Sequence, residues 1–537
     1  MMKEVIFIFF SCLVFLFPST VSAAKNEKIL FIPHDARPIS FQQTAEVVEQ
    51  LGYDVLTPPE QLFGGKGEYM GQPDELWNWL EINAKSAKVA VIATDSLFYG
   101  GLIPSRKHEI SQSVIDYRLE RFKNLHNNNP KLKIYVFASL MRTPRQGTAG
   151  FNEEPDYYVP YGNRIFNLTA LLDKSETSGL NANEQQTLYE LKNSVPKDVL
   201  NDWFGRREKN LAVTKKFIDL TNQNVIKYLI IGRDDNAPLC QTHKENRELK
   251  NYAAKYDLSK NKFQSLAGID EFGLLLLTRA INDLRDETPK VNVRFNNGKG
   301  AKTIPEFSDE EIGKTIEDAV AIAGGKLVDE PKSADFVLLV NTDPNGKTYQ
   351  LHNALPDAMI KLDQKKIDKN AENFASIVDE YVSAGYPVGI ADINFANGSD
   401  NALMNNLYNK GLLFKLQAYS GWNTATNSTG FVLGTGMLAK HMSDYSKDKL
   451  LVQRYLDDWG YQANVRTLIG TQLYNSREGG AIYYSLGEHS QTVADRVTWF
   501  MRDFAAKKLP PFDYLKNFDV TLPWNRMFEC NIIFHAE

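Results

Sequence analysis

Five times along this chain a short apolar run stops at a charged residue followed by turn-forming residues. Ile29-Leu30-Phe31-Ile32 runs into Pro33-His34-Asp35-Ala36-Arg37, and Val89-Ala90-Val91-Ile92-Ala93 into Thr94-Asp95-Ser96. Ile134-Tyr135-Val136-Phe137 leads to Arg142, Tyr228-Leu229-Ile230-Ile231 to Arg233-Asp234-Asp235-Asn236, and Val388-Gly389-Ile390-Ala391 to Asp392. Continuous runs rich in Val and Ile mark strands buried on both faces, the condition of a parallel sheet covered by helices. Helix-like segments lie between them, one over 40–51 with Ser40 as N-cap and Gly52 as its stop, another over 114–125. The alternation predicts an α/β fold with a mostly parallel sheet or a (β/α) barrel-like core. In such folds the carboxyl ends of the strands carry ligand-binding and catalytic groups, so the same pattern predicts a site.

The chain divides by composition and pattern. Residues 24–285 read as the main α/β domain, with a long polar, mostly helical insertion at about 150–222 that contains Tyr157, Tyr158 and Tyr161. Insertions of that length after a strand often cover a site. Residues 286–350 read as a small α/β unit (strand 291–295, helix 310–323, strand 336–340), either inserted or continuing the same sheet. Residues 351–450 read as a return to the main domain, and 451–537 as a helical segment closing in two alternating, antiparallel-type strands at 518–522 and 528–534.

At the N-terminus, Lys3 precedes an apolar stretch over 5–17 and then Val21-Ser22-Ala23, a small-x-small cleavage pattern. Residues 1–23 therefore read as a signal peptide, which predicts a secreted or extracytoplasmic protein with no stable membrane span after cleavage. Only Cys240 and Cys530 lie beyond that segment, enough for one disulfide or two free thiols but not for a cysteine-built zinc site. With 24% charged residues, a net charge of −5 and no basic stripe, nucleic acid is not expected as a partner.

The sharpest chemical element is Arg233-Asp234-Asp235-Asn236. Neighbouring carboxylates at a strand end repel each other, which raises one pKa and suits a general acid, while Arg233 is positioned in sequence to keep the other ionised. The plain alternative is an Asx turn capping the next helix. Asp95 and Asp392 offer further catalytic carboxylates. The loop from Asp392 to Asp400 brings Asn397, oxygen-rich but without the spacing of a calcium loop. Tyr419-Ser420-Gly421-Trp422-Asn423-Thr424-Ala425-Thr426-Asn427 joins an aromatic plane to the amides of Asn423 and Asn427, a combination suited to a sugar. Asp35, Arg37 and Arg142 complete the candidate ring, with an Arg–Asp salt bridge as the structural alternative. Asp270-Glu271, ahead of an apolar helix, reads first as helix-end electrostatics. Gly-x-Ser-x-Gly, His-Glu-x-x-His and Walker patterns are absent, and of eight scattered histidines only His34 and His243 adjoin these motifs. No metal site and no cofactor are predicted.

Ile32-Pro33-x-Asp35-x-Arg37-Pro38, Asp95 through Tyr99-Gly100-Gly101, Asp234-Asp235, Ala391-Asp392 through Asn397-Gly398, Gly421-Trp422-Asn423-Thr424 and Leu522-Pro523-Trp524-Asn525-Arg526-Met527-Phe528-Glu529 together resemble a bacterial family catalogued as domain of unknown function 4127. The resemblance spans nearly the whole chain beyond the signal segment and implies no particular reaction. The residues themselves predict an exported glycan-acting hydrolase: Asp234 or Asp235 for acid–base work, Asp95 or Asp392 as second carboxylate, Trp422 stacking, and the arginines and amides orienting a small-molecule or glycan substrate. The alternative is a non-catalytic exported binding protein for a sugar or an anionic cell-wall component.

Overall fold

A computed structural model describes residues 27–65, 69–147, 152–351, 364–476, 479–515 and 517–535. Residues 1–23, over which a signal peptide is expected, lie outside the described residues. The apolar runs are strands: β1 (Lys28–Ile32), β2 (Asp54–Leu56), β3 (Val89–Ala93), β4 (Lys133–Leu140), β5 (Tyr228–Arg233) and β6 (Phe263–Ala267). They form one parallel sheet in the order β2-β1-β3-β4-β5-β6. Every residue of β3, β5 and β6 is buried, as helices on both faces demand. The first helix begins at Gln42, two residues after the expected cap, and the Ser40 hydroxyl makes no capping bond.

A second parallel sheet takes up the later strands. β7 (Lys290–Phe295), β8 (Lys326–Leu327), β9 (Phe336–Asn341), β11 (Val388–Asp392) and β13 (Ala418–Ser420) lie in the order β8-β7-β9-β11-β13. β10 (Tyr349–Gln350) and β12 (Phe395–Ala396) form a short separate pair, and β14 (Phe518–Thr521) and β15 (Asn531–Phe534) an antiparallel hairpin. The α/β class with parallel sheets holds. The segment over 351–450, however, does not rejoin the first sheet: β11 pairs with β9 and β13 with β11, so the small unit is the opening of a second sheet. Numbered within itself, this sheet runs 2-1-3-4-5, the order with which the first sheet also begins. Each therefore has a point beside its first strand where the winding direction reverses, the place where open α/β folds bind ligands.

The two sheets share a layer of helices. Residues 272–282 of the helix Phe272–Arg285 are all buried, and it packs against the helix Ala425–Leu438. A Cβ on Gly434 would stand 2.6 Å from the Leu274 side chain, and one on Gly436 2.2 Å from the Phe336 ring, so glycine sets the approach of these elements. Leu274 through Leu277 are each at most 1% exposed, and at about 1.5–3 kcal/mol per buried leucine they contribute strongly to the core this helix shares with both sheets. One apolar core consequently joins Phe31, Val91 and Ile230 of the first sheet to Leu338 and Val340 of the second.

Three helices (Tyr158–Thr177, Ala182–Ser194, Lys197–Asn222) form the predicted insertion, the second opened by an Asn181/Glu184 capping box. Late in the chain the helix Asp444–Arg454 runs into a π-helical stretch, Tyr455–Val465, before the closing hairpin. Cys240 and Cys530 are buried free thiols. Among the described residues no helix is long and apolar enough to cross a membrane.

Candidate functional site

The turn after β1 folds back on itself. Asp35 accepts the Arg37 backbone N–H at 3.0 Å and its Nε at 2.8 Å, an Asx turn closed by an ion pair. The same guanidinium donates to Asp270 Oδ1 at 2.5 Å, and that oxygen also lies 3.0 Å from His34 Nε2. The other Asp270 oxygen accepts from Asn427 at 3.0 Å and Asn423 at 3.4 Å, so both sheets meet on one carboxylate. Burial opposes its charge, but Arg37 and His34 outweigh burial and hold the Asp270 carboxyl well below the usual carboxylate range. Burial likewise opposes a charge on His34, yet Asp35 and Asp270 raise its pKa. His34, Asp35 and Asp270 converge as metal ligands would, with one ligand atom from each within 4.8 Å of the others. Arg37 Nη2 lies 3.2, 2.8 and 2.5 Å from these three groups, so a metal ion there would have to displace a buried guanidinium.

The double aspartate follows β5. Arg233 does not hold either acid: its guanidinium turns into the core, donating to Asp309 at 2.9 Å and Glu310 at 2.8 Å. Asp234 instead accepts from Arg106 at 2.5 Å and Asp235 from Arg142 at 2.7 Å. Asp235 adopts a left-handed backbone (φ 39°), uncommon for a non-glycine residue. Burial first, and the neighbouring Asp235 second, push the Asp234 carboxyl up to about 7 against the pull of Arg106 and Arg142.

Arg142 extends the network to Glu154 (2.6 Å) and Glu153 (2.7 Å), and Glu153 passes it to Arg526 (2.6 Å), which is clamped by Glu529 (2.9 and 2.5 Å). Arginine suits this chain of contacts because its planar fork donates to several carboxylates at once. Despite burial, Arg142, Arg526 and Arg106 hold Glu153 far below the usual range. The network surrounds a cavity of about 420 Å³ at the carboxyl ends of the strands. Its rim includes Trp524, with the Arg37 and Arg526 guanidinium carbons 5.4 and 4.8 Å from the ring centre, together with Phe307, Phe528 and the amides of Asn397 and Asn423. Ten described non-glycine residues have positive φ, and five of them (Asp235, Phe307, Asn397, Asn423 and Trp524) line this cavity. Left-handed backbone costs of order 1–3 kcal/mol per residue and gathers at functional sites, where the surroundings enforce it.

Six carboxylates and four guanidiniums face the cavity. Among the described residues, both oxygens of Asp35, Glu153, Glu154 and Asp270 are engaged. Asp234 and Asp235 each use only Oδ2, leaving Oδ1 unengaged on side chains 18% and 28% exposed.

Of the residues singled out in the sequence, the cavity gathers Asp35, Arg37, Arg142, Asp234, Asp235, Asn397 and Asn423. Others stand behind or away from it. Asp95 is 2% exposed, accepts the Ser139 N–H at 3.1 Å, and is pushed up to about 6 by burial. Asp392 is fully buried, bonded to Asn341, Tyr419 and the Asp400 N–H, and raised to about 7 by burial and Asp400. Trp422, 2% exposed, meets the Phe431 ring edge-on in the core instead of offering a stacking face, and that position at the rim falls to Trp524. Asn427 acts behind Asp270, and Asn236 accepts from the Cys240 thiol. His243 stands away from the cavity, its Nδ1 2.7 Å from Asp173 of the inserted helix Tyr158–Thr177. Sequence reasoning missed Arg106, Glu153, Glu154, Phe307, Trp524 and Arg526, and read Asp270 first as helix-end electrostatics; the signal available for Trp524 and Arg526 was the Pro523-Trp524-Asn525-Arg526 string, whose aromatic and basic pair had no visible partner.

No curated protein matches this chain. The family model described as protein of unknown function (DUF4127) matches residues 29–533, and the chain therefore belongs to that family.

Proposed function

We propose that this chain is an exported glycan-acting hydrolase whose reacting centre is the Asp234–Asp235 pair. One observation carries the reading: among the described residues, these are the two carboxylates of the cavity wall with an oxygen to spare. Burial and the neighbouring Asp235 push Asp234 up to about 7. A general acid works best with a pKa close to the operating pH. Protonated Asp234 donates its proton to the glycosidic oxygen as the C1–O bond breaks. Asp235, anchored by Arg142, sets a carboxylate beside the positive charge that develops on the sugar ring. Water then adds at C1 and returns a proton to Asp234. A cavity of about 420 Å³ with amides and aromatic rims suits a saccharide. Export rests on the segment over 1–23.

The test is turnover of aryl glycosides and cell-wall glycans by the purified protein beside Asp234→Asn and Asp235→Asn. Loss of about 10²–10⁴-fold at Asp234→Asn is expected; a folded variant with full activity on every cleaved substrate sinks the assignment. The second reading, a binding protein, is favoured by the density of ion pairs, which prebuilds the wall. It predicts ligand retention without turnover, with the same substitutions weakening affinity alone.

A further inference from the structure

We propose that the cavity selects an amino sugar carrying an unsubstituted ammonium, received by Asp235, and rejects acidic saccharides; this rests on the carbohydrate reading above. The argument is one of charge and occupancy. With Asp234 protonated, as the general-acid role requires, five carboxylates against four guanidiniums leave an excess of one negative group in the wall. The guanidiniums are spoken for: Arg37 by Asp35 and Asp270, Arg142 by Glu153, Glu154 and Asp235, Arg526 by Glu153 and Glu529, and Arg106 by Asp234, each with a contact at 2.5–2.8 Å. A carboxylate or phosphate on the ligand would have to displace one of these partners and strand it unpaired in a largely buried wall, which is costly.

The unused acceptor capacity is local. Asp234 and Asp235 hold the Oδ1 atoms left without a partner among the described residues of the wall, and with Asp234 protonated the charged one is Asp235. An ammonium brings three donors and no acceptor, and so matches what the wall lacks. The spacing also fits. In a 2-amino sugar the nitrogen sits on the carbon next to the anomeric centre. Adjacent aspartates, turned apart by the left-handed backbone at Asp235, can therefore serve adjacent ring positions. Asp234 attends the glycosidic oxygen on C1 and Asp235 the ammonium on C2. Acetylation of that nitrogen removes the charge and two of its donors.

Calorimetric titration of the full-length mature protein with glucosamine, N-acetylglucosamine and galacturonate tetramers tests this. The glucosamine tetramer is expected to bind at least about tenfold more tightly than the acetylated one, the galacturonate tetramer not to bind, and Asp235→Asn to bring the first two within about twofold of each other. Equal binding of the first two, preference for the acidic tetramer, or a ratio unchanged in Asp235→Asn overturns the proposal while leaving the carbohydrate reading in place. If none of the three binds, the proposal fails; if the glycan panel is also left uncleaved, the carbohydrate reading fails with it.

Discussion

Replacing Arg37 by Met probes the junction between the two sheets. The side chain is 8% exposed and neutralises two carboxylates that are themselves nearly inaccessible, Asp35 and Asp270. Removing one member of a buried ion pair costs about 3–5 kcal/mol, mostly because the abandoned charge stays buried. Here two charges are abandoned, but His34 remains 3.0 Å from Asp270, and Asn427 still donates to it. These contacts keep the expected loss within that range at pH 7. The pH dependence has a definite sign. Asp270 has a depressed pKa when folded, so its contribution is present above its unfolded value near 4 and is lost only as pH falls through the depressed one. Without Arg37 that depression shrinks, so the variant has less to lose, and its deficit should stay constant from pH 7 to about 4 and narrow below that as wild type sheds the Asp270 contribution. Urea unfolding followed by fluorescence and circular dichroism measures this. Adding Asp270→Asn to Arg37→Met should restore at least about 1 kcal/mol, since one of the stranded charges is then gone. A single variant within about 0.5 kcal/mol of wild type at pH 7, or a double variant no more stable than the single, would refute the account.

Three further outcomes are expected. Turnover should fall as pH rises through about 7, where Asp234 loses its proton, and Asp234→Asn should abolish that limb of the pH–rate profile. Asp95, raised to about 6 by burial, contributes stability that is full below its unfolded value near 4 and lost as pH climbs through 6; Asp95→Asn should remove about 3 kcal/mol of that slope in denaturation curves taken from pH 4 to 8. Phe307→Asn should raise the melting temperature, by the equivalent of about 1 kcal/mol, because asparagine tolerates the left-handed backbone (φ 66°) that a phenylalanine resists; an unchanged or lower melting temperature counts against strain at that rim position.

The strands were legible because a strand covered on both faces must be apolar along its length, as β3 is throughout and β5 and β11 are up to their terminal Arg233 and Asp392. Their partition into two sheets was not. β9 and β11 carry the same kind of run as β3 and β4, and nothing local to a run says which edge it will join. Site residues were legible where the chain turns directly off a strand, as at Asp35 and Asp234. At Asp95 a helix starts at once, from Thr94, and carries the carboxylate inward. Asp270 looked like helix-end chemistry because the group that defines it, Arg37, lies 233 residues away. Trp524 and Arg526 stood in a visible motif, but their place at the cavity did not show for the same reason: Arg526 finds Glu153 across 373 residues.

That last separation also orders events in time. A chain made from its N-terminus can complete the first sheet and the Arg37–Asp270 turn long before the hairpin of β14 and β15 exists. Glu153 and the cavity rim wait for Arg526 and Trp524, which lie between those two strands. Synthesis thus proceeds with the wall incomplete, and the pocket acquires its final charge balance only when the closing hairpin docks. The order of synthesis itself leaves the cavity unfinished until the chain is nearly whole.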